Sequence, residues 1–235
     1  MSQKISLYSR LKSKSKKHFV KRICRIHPLK DGQTHGNIYG GRSVYPKKLN
    51  KDSIVYSFGI GEDVSFDLSL ISEYGMKIFA FDPTPASIDW VKHQNLPNEF
   101  IVHQYGLANH DGMVKFRKPL IENHISHSMI IDDKLENELI EFPVRRLNSI
   151  TKELGHDHID ILKMDIEGAE YGVIDDIISS NLLPAQILVE FHHMFDDITA
   201  YKTIDAVRNL EGAGYVLFDI AASGYDFCFI HRSHL

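Results

Sequence analysis

The sequence predicts an α/β fold: a mostly parallel sheet with helices on both faces, closed by a C-terminal antiparallel hairpin. Three observations carry this. Short apolar runs of four to six residues alternate with segments of helical spacing. The runs end at Gly or Asp-Pro turns, as strands feeding helices do. The last two runs are parted by only Ala221-Ala222-Ser223-Gly224, which is hairpin length.

In order, Ile54–Phe58 is the first strand, ended by Gly59-Ile60-Gly61. Phe66, Leu68, Leu70 and Ile71 fit a buried helix face. Lys77–Phe81 is a second strand, Ser87–Gln94 a helix and Phe100–Val102 a third strand. Met113–Phe116 alternates as a strand should after the Asp111-Gly112 turn. Ile150–Leu154 reads as helix, Ile159–Met164 as strand, Glu170–Ser179 as helix, Ile187–Phe191 as strand and Thr203–Glu211 as helix. Tyr215–Ile220 and Tyr225–His231 make the hairpin. The Gly- and Tyr-rich stretch 31–50 lacks periodic spacing and reads as a lead-in loop, and 119–141 reads as an insertion near a site. Such alternation needs both sheet faces covered, hence one domain over 31–235.

Composition excludes several classes. At 43% hydrophobic and 25% charged, the 235-residue chain is globular, with enough length for a core. No apolar run approaches the roughly 20 residues of a membrane span. Cys24 and Cys228 make no disulfide framework and sit in no CxxC motif. With no signal-peptide pattern, the expected location is the cytoplasm. Charge is uneven. Residues 1–30 hold ten of the 27 basic residues and none of the 31 acidic ones, so the remainder carries fourteen more acids than bases. This extension reads as a solvated tail, as an arm on the acidic body, or as a contact for an anionic surface at the periphery of a membrane.

Four constellations sit at strand ends. The Gly59-Ile60-Gly61 turn lets a ligand approach the backbone closely. Asp82 follows Gly61 by 21 residues at the next strand's end, where a carboxylate can accept both hydroxyls of an adenosine ribose; the competing reading is a helix cap in Asp82-Pro83-Thr84-Pro85. A third turn glycine is missing, and Glu62 and Asp63 would repel a pyrophosphate, which favours a cationic S-adenosylmethionine over a dinucleotide. Asp165, Glu167 and Glu170 crowd one strand end. Glu190, His192 and His193 share another, with Glu190 and His192 two apart and so on one side.

Val55–Asp63, Phe79–Pro85, the Gly106–Gly112 turn, Lys163–Glu170 and Leu188–His193 together resemble the FkbM family of S-adenosylmethionine-dependent methyltransferases, from about Val44 to the C-terminus. The resemblance implies a class I Rossmann-like fold with a seven-stranded sheet and O-methylation, often of sugar hydroxyls in glycans or of natural products. By it Ser57, Gly59, Gly61 and Asp63 would line the methionine end of the donor, Asp82 the ribose, and Tyr105, Gly106 and Leu107 the adenine. Phe58, Ile60, Pro83 and Asp165 are expected to bind the cofactor with them. The loop Ile125-Ser126-His127-Ser128 would border the acceptor, with Glu167 and His193 on its other side.

A sugar hydroxyl needs its proton removed, and His192 is the expected general base, with Asp165 and Glu190 orienting it or the acceptor. Alternatively Asp165, Glu190 and His192 hold a divalent cation that acidifies the hydroxyl. The acceptor is thus a small molecule or glycan. Nucleic acid is not expected, because Met164-Asp165-Ile166-Glu167 stands where base-amine enzymes carry Asn/Asp-Pro-Pro-aromatic, and neither cysteine follows a proline as cytosine C5 chemistry needs. A nicotinamide oxidoreductase and a non-catalytic binding module remain the rival readings.

Overall fold

A computed structural model describes residues 7–117 and 139–235. In chain order it contains α1 (Leu7–Ile23), β1 (Gln33–His35), β2 (Arg42–Val44), β3 (Ile54–Phe58), α2 (Ser65–Tyr74), β4 (Lys77–Phe81), α3 (Pro85–Lys92), β5 (Phe100–His103) and β6 (Gly106–Leu107). There follow β7 (Gly112–Arg117), β8 (Leu139–Arg145), α4 (Leu147–Leu154), β9 (Ile161–Met164), α5 (Glu170–Ser179), β10 (Gln186–Glu190), α6 (Ala200–Gly212), β11 (Tyr215–Ile220) and β12 (Asp226–His231).

Seven strands form the main sheet in the order β11-β12-β10-β9-β3-β4-β5. All neighbours are parallel except β12, which runs antiparallel to both β10 and β11. The central strands explain their own sequences. Val55, Tyr56, Phe58, Ile161, Leu162 and Met164 are at most 1% exposed, so a strand covered on both faces must be apolar without alternation. One apolar cluster lies on each face of the sheet: Tyr56, Phe58, Leu162, Ile187 and Phe229 on the side of α1, α5 and α6, and Val55, Ile78, Ile161, Leu188 and Ile230 on the side of α2. The chain leaves β3 toward β4 on one side, and β9 lies on the other. The crossovers therefore diverge between β3 and β9, and a crevice opens outside their C-terminal ends.

Three sequence expectations change. The strand expected near Met113–Phe116 exists as β7 but stays out of the main sheet; it pairs with β8, and β6 completes a separate three-stranded sheet. Part of the stretch expected as an insertion is β8, and residues 118–138, with Ser126, His127 and Ser128, lie outside the described residues. The expected lead-in loop contains a hairpin of two three-residue strands, β1 and β2, too short to show a period.

The basic segment forms α1 and packs on the body. Val20 is fully buried and Cys24 is 8% exposed, both in the main core. Lys12 pairs with Asp196 at 2.9 Å, Lys16 donates to the carbonyls of Phe195 and Ile198, and Lys21 donates to that of Ala221. No helix among the described residues is long and apolar enough to cross a membrane. Both cysteines are buried free thiols.

Candidate active site

The crevice at the β3/β9 switch point is a cavity of about 1080 Å³. That exceeds the size of typical small-molecule sites and leaves room for two reactants. Its walls come from the turns after β3, β4, β9 and β10, and from the β1–β2 hairpin tip.

The first turn is sterically determined. Gly59 has φ +85°, and a Cβ there would stand 2.2 Å from the Asp165 carbonyl oxygen. Only glycine lets the ends of β3 and β9 come this close. Beneath it, Phe58 stacks on Phe81 with centroids 4.3 Å apart. Lys163, 6% exposed on β9, donates to the Gly59 carbonyl at 2.9 Å. Its charge also bears on Asp67, 2% exposed on α2; burial raises the Asp67 carboxyl and Lys163 pulls it back. Lys163 falls within the strand read over Ile159–Met164, but its bond to the Gly59 carbonyl, 104 positions away, leaves no trace in sequence.

Asp82 ties the turn to the neighbouring strand. Its Oδ2 accepts the N–H groups of Ile60 (3.0 Å) and Gly61 (3.2 Å). Its Oδ1 accepts the Thr84 N–H (2.8 Å) and hydroxyl (2.6 Å). The cap-like reading of Asp82 is thus realised in the structure, and four donors converge on its two oxygens. Asp63 accepts from Ser65 N–H at 2.8 Å and from Asn37 at 2.9 Å. Burial would raise its carboxyl, but these hydrogen bonds and the Lys163 charge hold it below the usual range.

On the far side of the cavity, Glu170 is fully buried in the first turn of α5. Its Oε1 accepts from Gly168 N–H (3.0 Å) and Ile166 N–H (3.4 Å). His192 Nδ1 lies 2.7 Å from the same oxygen and must donate, since an ionised carboxylate only accepts. His192 Nε2 faces Asp165 Oδ1 at 3.6 Å and Glu167 Oε2 at 3.4 Å. Burial would lower this imidazole, yet the carboxylates of Glu170, Glu167 and Asp165 outweigh it and push it up to about 10. So placed, the three carboxylates favour positive charge at Nε2 of His192.

Glu190 lines the same cavity but answers to a residue from outside the main sheet. Arg42, 6% exposed on β2, contacts Glu190 Oε2 at 3.1 Å and Asp226 Oδ1 at 2.7 Å. Burial and the nearby Asp165 and Asp226 push the Glu190 carboxyl up to about 8, against His192 and Arg42. The acid–imidazole group that comes together is therefore Asp165, Glu167 and His192, with Glu167 where Glu190 was expected.

Of the expected site residues, Gly59, Ile60, Gly61, Asp63, Asp82, Pro83, Gly106, Leu107, Asp165, Glu167, Glu190 and His192 line the cavity. Ser57, Phe58, Tyr105 and His193 do not. Ser57 and Phe58 lie inside β3 below the turn, and Tyr105 packs between Phe81 and the Arg145 guanidinium. His193 is fully buried against Tyr225, and burial, with Lys16 next, pushes it down to about 4. Arg42, Tyr39 and Phe195 line the cavity without having been expected.

This strand order, with a nucleotide-sized cavity at its switch point, is that of the class I S-adenosylmethionine-dependent methyltransferases. The methyltransferase FkbM domain model matches residues 53–217, and the chain belongs to that family. It is similar to the probable methyltransferase-like protein 24 of Homo sapiens, 29% identical over 146 residues, which are 61% of this chain and 33% of that protein. A shorter likeness, 37% identical over 82 residues, joins 34% of this chain to 4% of the AMB antimetabolite synthetase AmbE of Pseudomonas aeruginosa. The crystal structure of methyltransferase FkbM from Methylobacillus flagellatus superposes with a TM-score of 0.50 at 13% identity, over 78% of this chain and 44% of that one, a likeness of fold. The chain spans about a third of the length of its methyltransferase-like relative.

Proposed function

We propose that this chain moves a methyl group from S-adenosylmethionine to a hydroxyl of a sugar, glycan or natural-product acceptor. The observation that carries the reading is one continuous cavity lined both by the Gly59–Gly61 turn, Asp82 and Gly106-Leu107 and by the Asp165, Glu167, Glu190 and His192 group. The donor half fits the cofactor. Gly61 gives backbone access, Pro83 and Leu107 offer apolar walls, and Glu62 and Asp63 suit a cationic amino-acid end. A ribose hydroxyl reaches Asp82 Oδ1 if the Thr84 hydroxyl turns its proton to Ser87 Oγ, already 2.8 Å away. When bound, the cofactor supplies an electrophilic methyl on a sulfonium, which needs no covalent enzyme intermediate.

The protein's part is alignment and proton removal. Two functions divide among the acids: Asp165, at the end of β9, orients the acceptor, and Glu190, whose carboxyl is pushed up to about 8 and so ionises at mildly alkaline pH, takes the hydroxyl proton there. Tyr39, 87% exposed on the hairpin tip, brings an amphipathic ring to the cavity rim. Among the described residues, exposed Lys14, Arg22, Arg25 and Lys30 offer positive charge for a peripheral anionic contact.

Thermal-shift titration with S-adenosylhomocysteine and with NAD(H) tests the donor, since only a ligand of the native state raises the melting temperature. S-adenosylhomocysteine alone should do so; stabilisation by NAD(H) instead would overturn the reading. Isotope-labelled methyl donor offered with glycan and small-molecule fractions then tests transfer. Label recovered on carbon-bound oxygen supports the acceptor class, and label on nitrogen alone refutes it.

A further inference from the structure

We propose that Asp165, Glu167 and His192 bind a divalent metal cation, with Glu170 fixing the imidazole from behind. The role given to that cation rests on the methyl-transfer reading; the site itself does not.

The first support is spacing. His192 Nε2 stands 3.4 Å from Glu167 Oε2 and 3.6 Å from Asp165 Oδ1. A direct charge-assisted hydrogen bond would close these gaps to about 2.7–2.9 Å. Ligand atoms about 2.1 Å from a shared cation stand roughly 3.0 Å apart at octahedral angles and roughly 3.4 Å at tetrahedral ones. The three ligand atoms lie within 4.8 Å of one another, and no other such group occurs among the described residues. The spacing thus fits an intervening ion better than direct contact.

The second support is His192 itself. It is 4% exposed, its Nδ1–H is committed to Glu170, and its Nε2 makes no hydrogen bond while lining the cavity between the two carboxylates. A buried imidazole whose outer nitrogen is bonded to a carboxylate and whose inner nitrogen faces acids is the arrangement that orients metal-binding histidines. Glu167 adds to it. It is a non-glycine residue at φ +54°, followed by Gly168 at φ +105°. Backbone in this region is held against its preference, here where the turn brings the Glu167 carboxylate to His192.

Asp165 and Glu167 keep 34% and 23% of their side chains exposed on the cavity side, so coordination positions stay open to water and to an acceptor oxygen. Two carboxylates and one imidazole suit a hard to borderline ion such as Mn²⁺ or Mg²⁺. Bound there, such an ion lowers the pKa of a hydroxyl within reach of Glu190.

Mn²⁺ is the probe. The full chain, freed of metal with a chelator and dialysed, is titrated with Mn²⁺, and the free hexaaqua ion is followed by electron paramagnetic resonance. One equivalent should bind. Glu167→Gln, which keeps the side chain's shape, and His192→Ala should each weaken binding at least tenfold. Glu170→Gln should weaken it by about 10- to 100-fold through the orientation of His192. S-adenosylhomocysteine binding is read calorimetrically on the same samples. No Mn²⁺ uptake by the unaltered chain, or uptake unchanged in both Glu167→Gln and His192→Ala, overturns the cation site. Donor product bound without Mn²⁺ leaves the donor reading standing and removes this one; Mn²⁺ bound without donor product does the reverse.

Discussion

Replacing Asp82 with Asn separates the two parts given to that carboxylate. In the fold, Oδ2 accepts two backbone N–H groups from the first turn and Oδ1 accepts two donors from Thr84. An amide has one acceptor oxygen. If it stays on Thr84, an NH₂ group faces the Ile60 and Gly61 N–H groups, and those two buried donors lose their partner. Each lost bond to a charged acceptor is worth about 1.5–3 kcal/mol, so the variant should be destabilised by about 3 kcal/mol. For a chain of this size that is a fall of about 6–12 °C in melting temperature. The ribose role adds a second loss. Two hydroxyls that bonded a carboxylate would meet an amide with one acceptor, and affinity for S-adenosylhomocysteine should fall about 100-fold, near 3 kcal/mol. Differential scanning fluorimetry and isothermal titration on the same preparation give both numbers. A variant that melts lower yet binds donor product within threefold of the parent shows Asp82 to be a tie between two turns and nothing more. Thr84→Val sharpens the reading: it frees Oδ1 from its hydroxyl donor and should leave donor-product affinity unchanged or tighter.

Gly59→Ala should cost at least about 3 kcal/mol in urea unfolding, because its Cβ would stand 2.2 Å from a backbone oxygen, whereas Gly61→Ala, at φ +54° with open space, should cost about 1 kcal/mol. Equal losses would show that the approach of β3 to β9 does not set the turn. Arg42→Met should destabilise by about 3–5 kcal/mol by leaving Glu190 and Asp226 uncompensated, and adding Glu190→Gln should recover part of it; a double variant as unstable as the single would refute charge compensation. His103 stacks on Phe81, and burial, then Arg145, lowers its imidazole below the usual range. The unfolded chain therefore binds a proton that the folded one resists, and stability is lost as pH falls below about 6.5. His103→Phe should flatten stability between pH 7 and pH 5 relative to the parent, and an unchanged difference across that window would sink the assignment.

What the sequence made legible follows from range. Lys77–Phe81 and Glu170–Ser179 match β4 and α5 at both ends, because a strand buried on both faces and an amphipathic helix announce themselves in consecutive residues. Strand ends were legible for the same reason, and with them Asp82, Asp165 and Glu190. The partners of those residues were not. Glu170 meets His192 across 22 positions, and Arg42 meets Glu190 across 148. Only the folded sheet sets such pairs side by side. Periodicity also gave no warning that β7 would leave the main sheet, since pairing partners leave no trace in the alternation of one strand.

The surplus of negative charge at the crevice argues for function over structure. Asp165, Glu167, Glu190 and Asp226 line it, with Glu170 behind His192, against the Arg42 guanidinium, the Lys163 ammonium and one imidazole. Carboxylates gathered in this way work against folding, since each must be drawn from water toward others of its own sign. A helix N-terminus favours one acid, and Glu170 already fills that place on α5. Arg42 answers Glu190 and Asp226, and Asp165 and Glu167 stand together beside the His192 imidazole. Their cost is offset when positive charge enters the cavity, and both ligands argued for above bring it: the sulfonium and ammonium of the methyl donor at the Gly59 end, and a divalent ion at the His192 end. The same excess disfavours a pyrophosphate in this crevice, which is the physical ground for reading the Gly59–Gly61 turn as a methyl-donor site and not as a dinucleotide one.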